Sequence, residues 1–233
     1  GEILAGQTGG MTEYDSKRVL AAAGVRCTRE TLCGSAEEAV AAARALGGRV
    51  ALKAMSPDIL HKTEAGVIAL GVSGDDAVRE AYHRVRSAAQ RFRPGVRLQG
   101  VLCQEMVEGA VAEVIVGILS DPQFGPAVVF GAGGIMVEIF RDRTLAIPPF
   151  GHEEALAMIR GTRGSRLLSG FRGRPPADID ALAGMLVAVG NLAVSASGRI
   201  EALDVNPVLV LPEGRGAVAV DALLIAKANQ SPP

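Results

Sequence analysis

Tryptophan is missing from this chain, and two tyrosines and six phenylalanines are its only aromatic residues. So few rings leave little to stack on bases, which argues against single-stranded nucleic acid as a partner. An excess of either charge is also lacking. The 24 basic and 25 acidic side chains are interspersed, so there is no electrostatic footprint for nucleic acid or an anionic membrane. Cysteine is scarce and odd in number. Cys27, Cys33 and Cys103 show no metal-ligand spacing and cannot all pair, which fits a reducing compartment, and hence the cytoplasm, better than a disulfide framework. No apolar run approaches the about 20 residues of a membrane span, and the N-terminus lacks the charged-then-apolar pattern of a signal peptide. What is present is core material: 48% of 233 residues are hydrophobic, enough for one large domain or two lobes and too much for disorder.

Residues 1–11 are small, polar and without periodicity, and are expected to be a linker or remnant before a folded unit at 12–233. Thr12 and Asp15 form a near capping box for a helix that stops at Gly24. Cys27 to Leu32 reads as an edge strand. Ser35 and Glu38 open an alanine-rich helix ending at Gly47 and Gly48. Strands are expected over Arg49–Met55, Gly66–Val72 and Leu98–Val107, with a helix from Asp75 or Asp76 to about Phe92. Together they make a first lobe over 12–106, including the N-terminal helix. In the second lobe, 107–233, strands are expected at Glu113–Leu119, Ala127–Phe130, Ile135–Phe140 and Leu145–Ile147. Helices follow near Glu153–Arg160 and Ala177–Ser195, and Arg199–Leu211 with Ala217–Val220 closes the chain as a hairpin. The class is α+β: two α+β lobes with a cleft for a small ligand between them.

Chemistry concentrates in LKAMSPDILHKTEAGV, Leu52 to Val67. Lys53 closes an apolar run; it either neutralises nucleotide phosphates or snorkels to the surface. His61, Lys62, Thr63, Glu64 and Gly66 follow, bounded by Pro57 and Gly66. A lone histidine is usually structural. This one, beside a cation and a hydroxyl, is suited to carry a phosphoryl group on nitrogen. Gly131, Gly133 and Gly134 after a buried strand either offer backbone N–H groups to an anion or form an ordinary tight turn. Neither the Walker loop nor the dinucleotide fingerprint is matched, because no helix-opening Gly-Lys-Ser/Thr follows. Asp204 and Asn206 in ALDVNPVLVL, with Asp221 ending AVAVD, could meet across a hairpin as oxygen donors for magnesium, or simply be turn formers beside proline. Glu105 and Glu113 are either ribose- and phosphate-region groups or solvated carboxylates.

The strings PDILHKTEAG, EVIVGILSDPQFGPAVVFGAGGIMVEIFRD, LLSGFRGRPPADIDAL and ALDVNPVLV with VAVDA, in that order, closely resemble the ATP-grasp domain of ADP-forming acyl-CoA synthetases, from about Met11 to Asp221. The resemblance implies an ATP-grasp fold with the nucleotide between two α+β lobes, and a phosphoryl group passing from an acyl phosphate through His61 to ADP. It implies Lys53 as a phosphate contact and Glu105, Met106, Val107 and Glu108 as the hinge whose backbone holds adenine. Glu113 corresponds to an acidic position facing the nucleotide. Gly133, Gly134 and Glu138 correspond to the loop near the transferred group, with Glu138 and His61 catalytic. Asn206 and Asp221 correspond to the magnesium ligands. The cofactors implied are ATP or ADP and Mg2+, with CoA bound by partner domains. The partner is a CoA-binding α subunit, or further domains of a fused parent chain, in a hetero-oligomer or larger polypeptide.

Two positions depart from the family pattern. Val67 stands where a second glycine is common, and Ala146 where an arginine is frequent, leaving Arg141 or Arg143 to supply that contact. A competing class is a non-catalytic regulatory ATP-grasp module attached to a protein acetyltransferase, which retention of His61, Asn206 and Asp221 disfavours. A third class, carboxylase-like or peptide-ligase chemistry, would share the nucleotide site without needing His61.

Overall fold

A computed structural model describes residues 2–4, 6–59, 65–133, 142–170, 173 and 175–227. They divide into two compact units, Thr28–Glu108 and a second formed from Gly1–Cys27 with Gly109–Pro233. In chain order the elements are β1 (Gly9–Gly10), α1 (Glu13–Ala22), β2 (Glu30–Cys33), α2 (Ala36–Leu46), β3 (Val50–Met55), β4 (Ile68–Val72), α3 (Asp75–Phe92) and β5 (Gly100–Glu105). After them come β6 (Ala112–Asp121), β7 (Gly125–Ala132), β8 (Arg143–Ala146), α4 (His152–Arg160), α5 (Ser165–Leu168), α6 (Ile179–Ser195), β9 (Ile200–Val210), β10 (Ala217–Ala219) and β11 (Ala222–Ala226).

In the unit Thr28–Glu108, an antiparallel sheet of order β2-β5-β3-β4 packs against α2 and α3. The Ser35 cap read from sequence is present: Glu38 donates its N–H to Ser35 Oγ at 3.1 Å, while its carboxylate reaches one residue beyond the cap and accepts from the Gly34 N–H at 2.7 Å. Gly47 ends α2 with a φ of 73°, a left-handed conformation that favours glycine. Val40, Leu52, Tyr82, Val85 and Val101 share the main core. A small satellite core gathers Ala54, Ile59, Ala65, Val67 and Ala89.

In the other unit, the seven-stranded sheet runs β1-β11-β9-β6-β7-β8, with β10 also on β9. Alternation along β6 puts Val114, Val116 and Ile118 into the core beside Val128 and Phe130, where Leu182, Leu186 and Val189 of α6 cover them. Gly190 interrupts this apolar helix. A Cβ there would stand 3.2 Å from the Phe150 ring, so the glycine makes room for an aromatic side chain and its propensity cost of about 1 kcal/mol is offset by packing. Among the described residues, no helix is long and apolar enough to cross a membrane.

Three features differ from the sequence reading. Residues 1–11, expected as a linker, contain buried Leu4 and Met11, and Gly9–Gly10 pairs antiparallel with β11. Helix α1, expected in the first lobe, belongs with residues 109–233 because it packs on β11. Strand β11 itself was not expected beyond Asp221: β10 and β11 are short, and only their pairing with the long β9 makes them one ladder. The expected strand Ile135–Phe140 lies outside the described residues.

Asp178 ties α6 to this ladder. Its carboxylate accepts from the Ala181 N–H at 3.0 Å as helix cap and from the Gly216 N–H at 2.7 Å across the hairpin. Asp178→Ala should therefore destabilise the protein by about 2 kcal/mol in urea unfolding, and Asp178→Asn by less, because an oxygen acceptor remains.

Candidate functional site

Strand β9 collects the oxygen donors. Its ladder with β10 aligns Ala219 with Val208, and its ladder with β11 aligns Ala222 with Val205. The intervening residues continue the register: Val220 donates its N–H to Pro207 O at 3.0 Å, and Asn206 donates its N–H to Asp221 O at 3.1 Å. Asp221 therefore stands opposite Asn206, and Asp204, two residues back along β9, shares their face. The electrostatics agree. The Asp204 carboxyl is pushed above the usual carboxylate range, first because surrounding sheet atoms exclude water from it and second by the Asp221 charge. Asp204 as a residue nonetheless keeps solvent access. Two carboxylates and an amide on one sheet face form a partial oxygen cage. Among the described residues no group of three or more His, Cys, Asp or Glu side chains is placed to hold a metal. That donor set fits Mg2+, which takes one or two carboxylates and completes its shell with water and phosphate.

Glu113 and Gly133 meet in the same unit. The Gly133 N–H donates to Glu113 O at 2.8 Å, and a Cβ on Gly133 would lie 2.7 Å from the Glu113 carbonyl carbon and oxygen. Glycine is required there because two backbones touch. The Glu113 side chain is exposed. Asp142, on the far side of the glycine loop, accepts from the Arg163 and Gly164 N–H groups at 2.9 and 2.7 Å. Arg143 is exposed and opposite Gly131, whereas Ala146 is 7% exposed and faces the core opposite Val128. An arginine at 146 would be aimed into packed apolar side chains, whereas Arg143 on the same strand has solvent access.

In the unit Thr28–Glu108, Lys53 lies within β3 rather than at its end, between Leu102 and Ile68, and is only 4% exposed. A buried lysine is not a surface snorkel. The Glu105 carboxylate is part-exposed but engaged: it accepts from the Arg29 N–H at 2.8 Å and from Arg29 Nε at 2.6 Å. Glu108 pairs with Arg49 at 2.7 Å. The N–H groups of Glu105 and Met106 donate to Arg29 O and Arg49 O. The stretch Glu105, Met106, Val107, Glu108 thus has its glutamates engaged within the unit, and it ends at the boundary between units.

His61, Gly134 and Glu138 lie outside the described residues. The described residues before His61 are firmly tied: Asp58 accepts from Arg97 Nη2 at 2.9 Å and from its backbone N–H at 3.0 Å, and Arg93 donates to Asp58 O at 3.0 Å. After it, Val67 is fully buried and accepts from the Ala54 N–H at 3.0 Å. Sequence reasoning left out the Asp58–Arg97 pair, which only contact across 39 residues reveals. It named Asp204 but did not choose it, although its i,i+2 spacing from Asn206 on a strand was a usable signal.

The ATP-grasp domain family matches residues 2–225. The β subunit of acetate–CoA ligase [ADP-forming] II from Pyrococcus furiosus is 40% identical over 226 residues, covering 97% of this chain and 95% of that subunit. Acetate–CoA ligase [ADP-forming] I from Archaeoglobus fulgidus is 38% identical over 86% of this chain, which corresponds to 29% of that longer protein. A solved structure of acetyl-coenzyme A synthetase 1 from Ca. Korarchaeum cryptofilum is 34% identical with a TM-score of 0.81, covering 94% of this chain and 93% of its own. It was solved with coenzyme A and Mg-AMPPCP, its phosphohistidine segment pointing towards the nucleotide binding site.

Two titrations check this geometry. Arg97 holds the Asp58 carboxyl down to about 2, chiefly by side-chain and then by backbone hydrogen bonding. The ionised pair thus adds stability above the ordinary value of 3.8, and that contribution is lost as pH falls through about 2. Carboxyl-carbon NMR should find the Asp58 midpoint near 2 and a return toward the ordinary value in Arg97→Ala. Asp204 has the opposite sign: its ionisation opposes folding as pH rises through the raised midpoint. Asp221→Asn, or added Mg2+, should lower that midpoint in the same experiment.

Proposed function

Because the chain belongs to the ATP-grasp family, in the group containing the β subunits of ADP-forming acetate–CoA ligases, we propose that it is the nucleotide-binding part of an ADP-forming acid–CoA ligase. The overall reaction is acyl-CoA + ADP + phosphate = carboxylic acid + ATP + CoA. The observation that carries this reading is the Asp204, Asn206 and Asp221 oxygen set on one sheet face, half a coordination shell that a nucleotide's phosphates complete.

The residues divide the work by chemistry. Asn206 and Asp221, with Asp204 beside them, hold Mg2+. When bound, that ion neutralises phosphate charge. Lys53, a cation in a buried strand, meets the phosphates, where low polarity strengthens its pull. The backbone of 105–108 receives adenine. Glu113 faces the nucleotide, and Gly133 with Gly134 and Glu138 borders the transferred group. His61 takes the phosphoryl group: the P–O bond of an acyl phosphate breaks as a P–N bond forms, releasing carboxylate. The P–N bond then breaks as an oxygen of the ADP β-phosphate bonds to phosphorus, yielding ATP. Dividing the transfer at nitrogen separates the acyl chemistry from the nucleotide chemistry.

The relatives named β subunits have, by that name, a partner, and in fused relatives a chain of this length is under one third of the whole. CoA binding and acyl recognition are assigned here to such a partner, either an α subunit or further domains of a parent chain, in the cytoplasm. The alternative, a regulatory module on an acetyltransferase, would bind nucleotide without transferring phosphate.

The reverse half-reaction tests the choice. ATP radiolabelled on its γ-phosphate should label the purified protein in the presence of Mg2+, with the acid-labile, base-stable behaviour of phosphohistidine. His61→Ala should abolish the label, and Lys53→Met should slow its appearance by about 100-fold. Label that persists in His61→Ala would overturn the relay. Nucleotide binding with no label in the wild-type protein would favour the regulatory module.

A further inference from the structure

Helix α1 carries a pair of charges with no evident place in packing. Glu13 and Lys17 are each 2% exposed, one helical turn apart, with Nζ and Oε1 at 2.8 Å. A buried ion pair is a weak source of stability, because removing both charges from water offsets most of their attraction and apolar residues of similar size commonly do as well. The pair therefore calls for another reason, and its second contact supplies one. Lys17 Nζ also donates to the Val220 carbonyl at 3.0 Å.

Val220 precedes Asp221, and both lie in the interruption between β10 and β11. A peptide unit is planar, so the Val220 carbonyl and the Asp221 Cα move as one rigid body. Lys17 grips that plane. The next plane is gripped from the other side, where Asp221 O accepts from the Asn206 N–H at 3.1 Å. The flanks are tied as well: Ala219 donates to Arg26 O at 2.9 Å, and Leu224 donates to Ser16 Oγ at 3.0 Å.

We propose that the Glu13–Lys17 pair is a positioning device that fixes the direction in which Asp221 presents its carboxylate beside Asn206. Glu13 neutralises Lys17 and orients its ammonium, and Lys17 sets the Val220–Asp221 peptide plane. Neither side chain touches the ion. Helix α1, expected to serve the first lobe, thereby becomes part of the ion site's support. The proposal rests on the reading of Asp221 as an Mg2+ ligand, and the experiment separates the two.

ADP binding is measured calorimetrically at a series of Mg2+ concentrations, with thermal unfolding alongside. The double variant Glu13→Gln/Lys17→Met removes both charges and leaves side chains of similar size, so unfolding should change little. The Mg2+ concentration needed for tight ADP binding should rise by about tenfold, saturating Mg2+ should restore full affinity, and ADP binding without Mg2+ should be unchanged. Ser16→Ala, on the same helix but bonded to Leu224, should lower the unfolding temperature without moving the Mg2+ dependence. Should the double variant fail to fold, Glu13→Gln alone should shift the Mg2+ dependence in the same direction by less. A folded double variant, or in its absence a folded Glu13→Gln, with wild-type Mg2+ dependence overturns the proposal. Asp221→Asn serves as the reference: loss of Mg2+ dependence there supports the ligand assignment, and wild-type behaviour there removes that assignment and the positioning role with it.

Discussion

Strand β9 is the element on which the larger unit depends. It pairs with β6 along one edge and with both β10 and β11 along the other, so partners on both sides hold most of its eleven residues. A strand confined in this way has its register set by several partners at once, and a one-residue slip would turn every core side chain outward. The same confinement puts Asp204 and Asn206 on the face where Asp221 arrives. Leu203 and Val205 are buried while Asp204 and Asn206 beside them are exposed, and a register shift against β6 at 206–207 returns Val208 and Val210 to the core. The alternation up to that shift puts core and candidate site on opposite faces.

The price of such a site is electrostatic. Sheet atoms that keep water from the Asp204 carboxyl raise it first, and the neighbouring Asp221 charge raises it further. A divalent cation reverses the sign. Comparable tension is absent around Asp58, whose carboxylate is satisfied by Arg97 and which accordingly stays ionised far into acid. Asp58 already has a cation from the chain, whereas the partner proposed for Asp204 is a cation from solution. This contrast separates a binding group from a fastening group more clearly than residue type does.

Fastening recurs in the smaller unit. Glu105 clasps Arg29 through its carboxylate, while the Arg29 carbonyl accepts from the Glu105 N–H, which ties the end of β5 to the chain entering β2. Lys53 lies in β3 between β4 and β5, and all six residues of that strand are buried. Its backbone is confined by strands on both sides, which suits the phosphate contact proposed for it. Around His61, the described residues on either side are bound into the satellite core through Ile59, Ala65 and Val67.

Much of this was legible in the chain itself. The Ser35 cap, the Gly47 stop and the alternation along β6 depend on residues within a few positions of one another, and local sterics and hydrogen bonding decide them. Four motif strings in fixed order were enough to indicate the ATP-grasp family. Long-range contact decided the rest. That Gly9–Gly10 is a strand, that α1 belongs with residues 109–233, that Ala222–Ala226 extends the sheet, and that Lys17 reaches a carbonyl 203 residues away follow from pairings between the two ends of the chain. Glu105 could not be recognised as a clasp for Arg29 until β2 and β5 were side by side. Local sequence determines which conformations a segment prefers. Which buried charge meets which partner is settled only when the sheet closes, because burial and register are properties of the whole ladder.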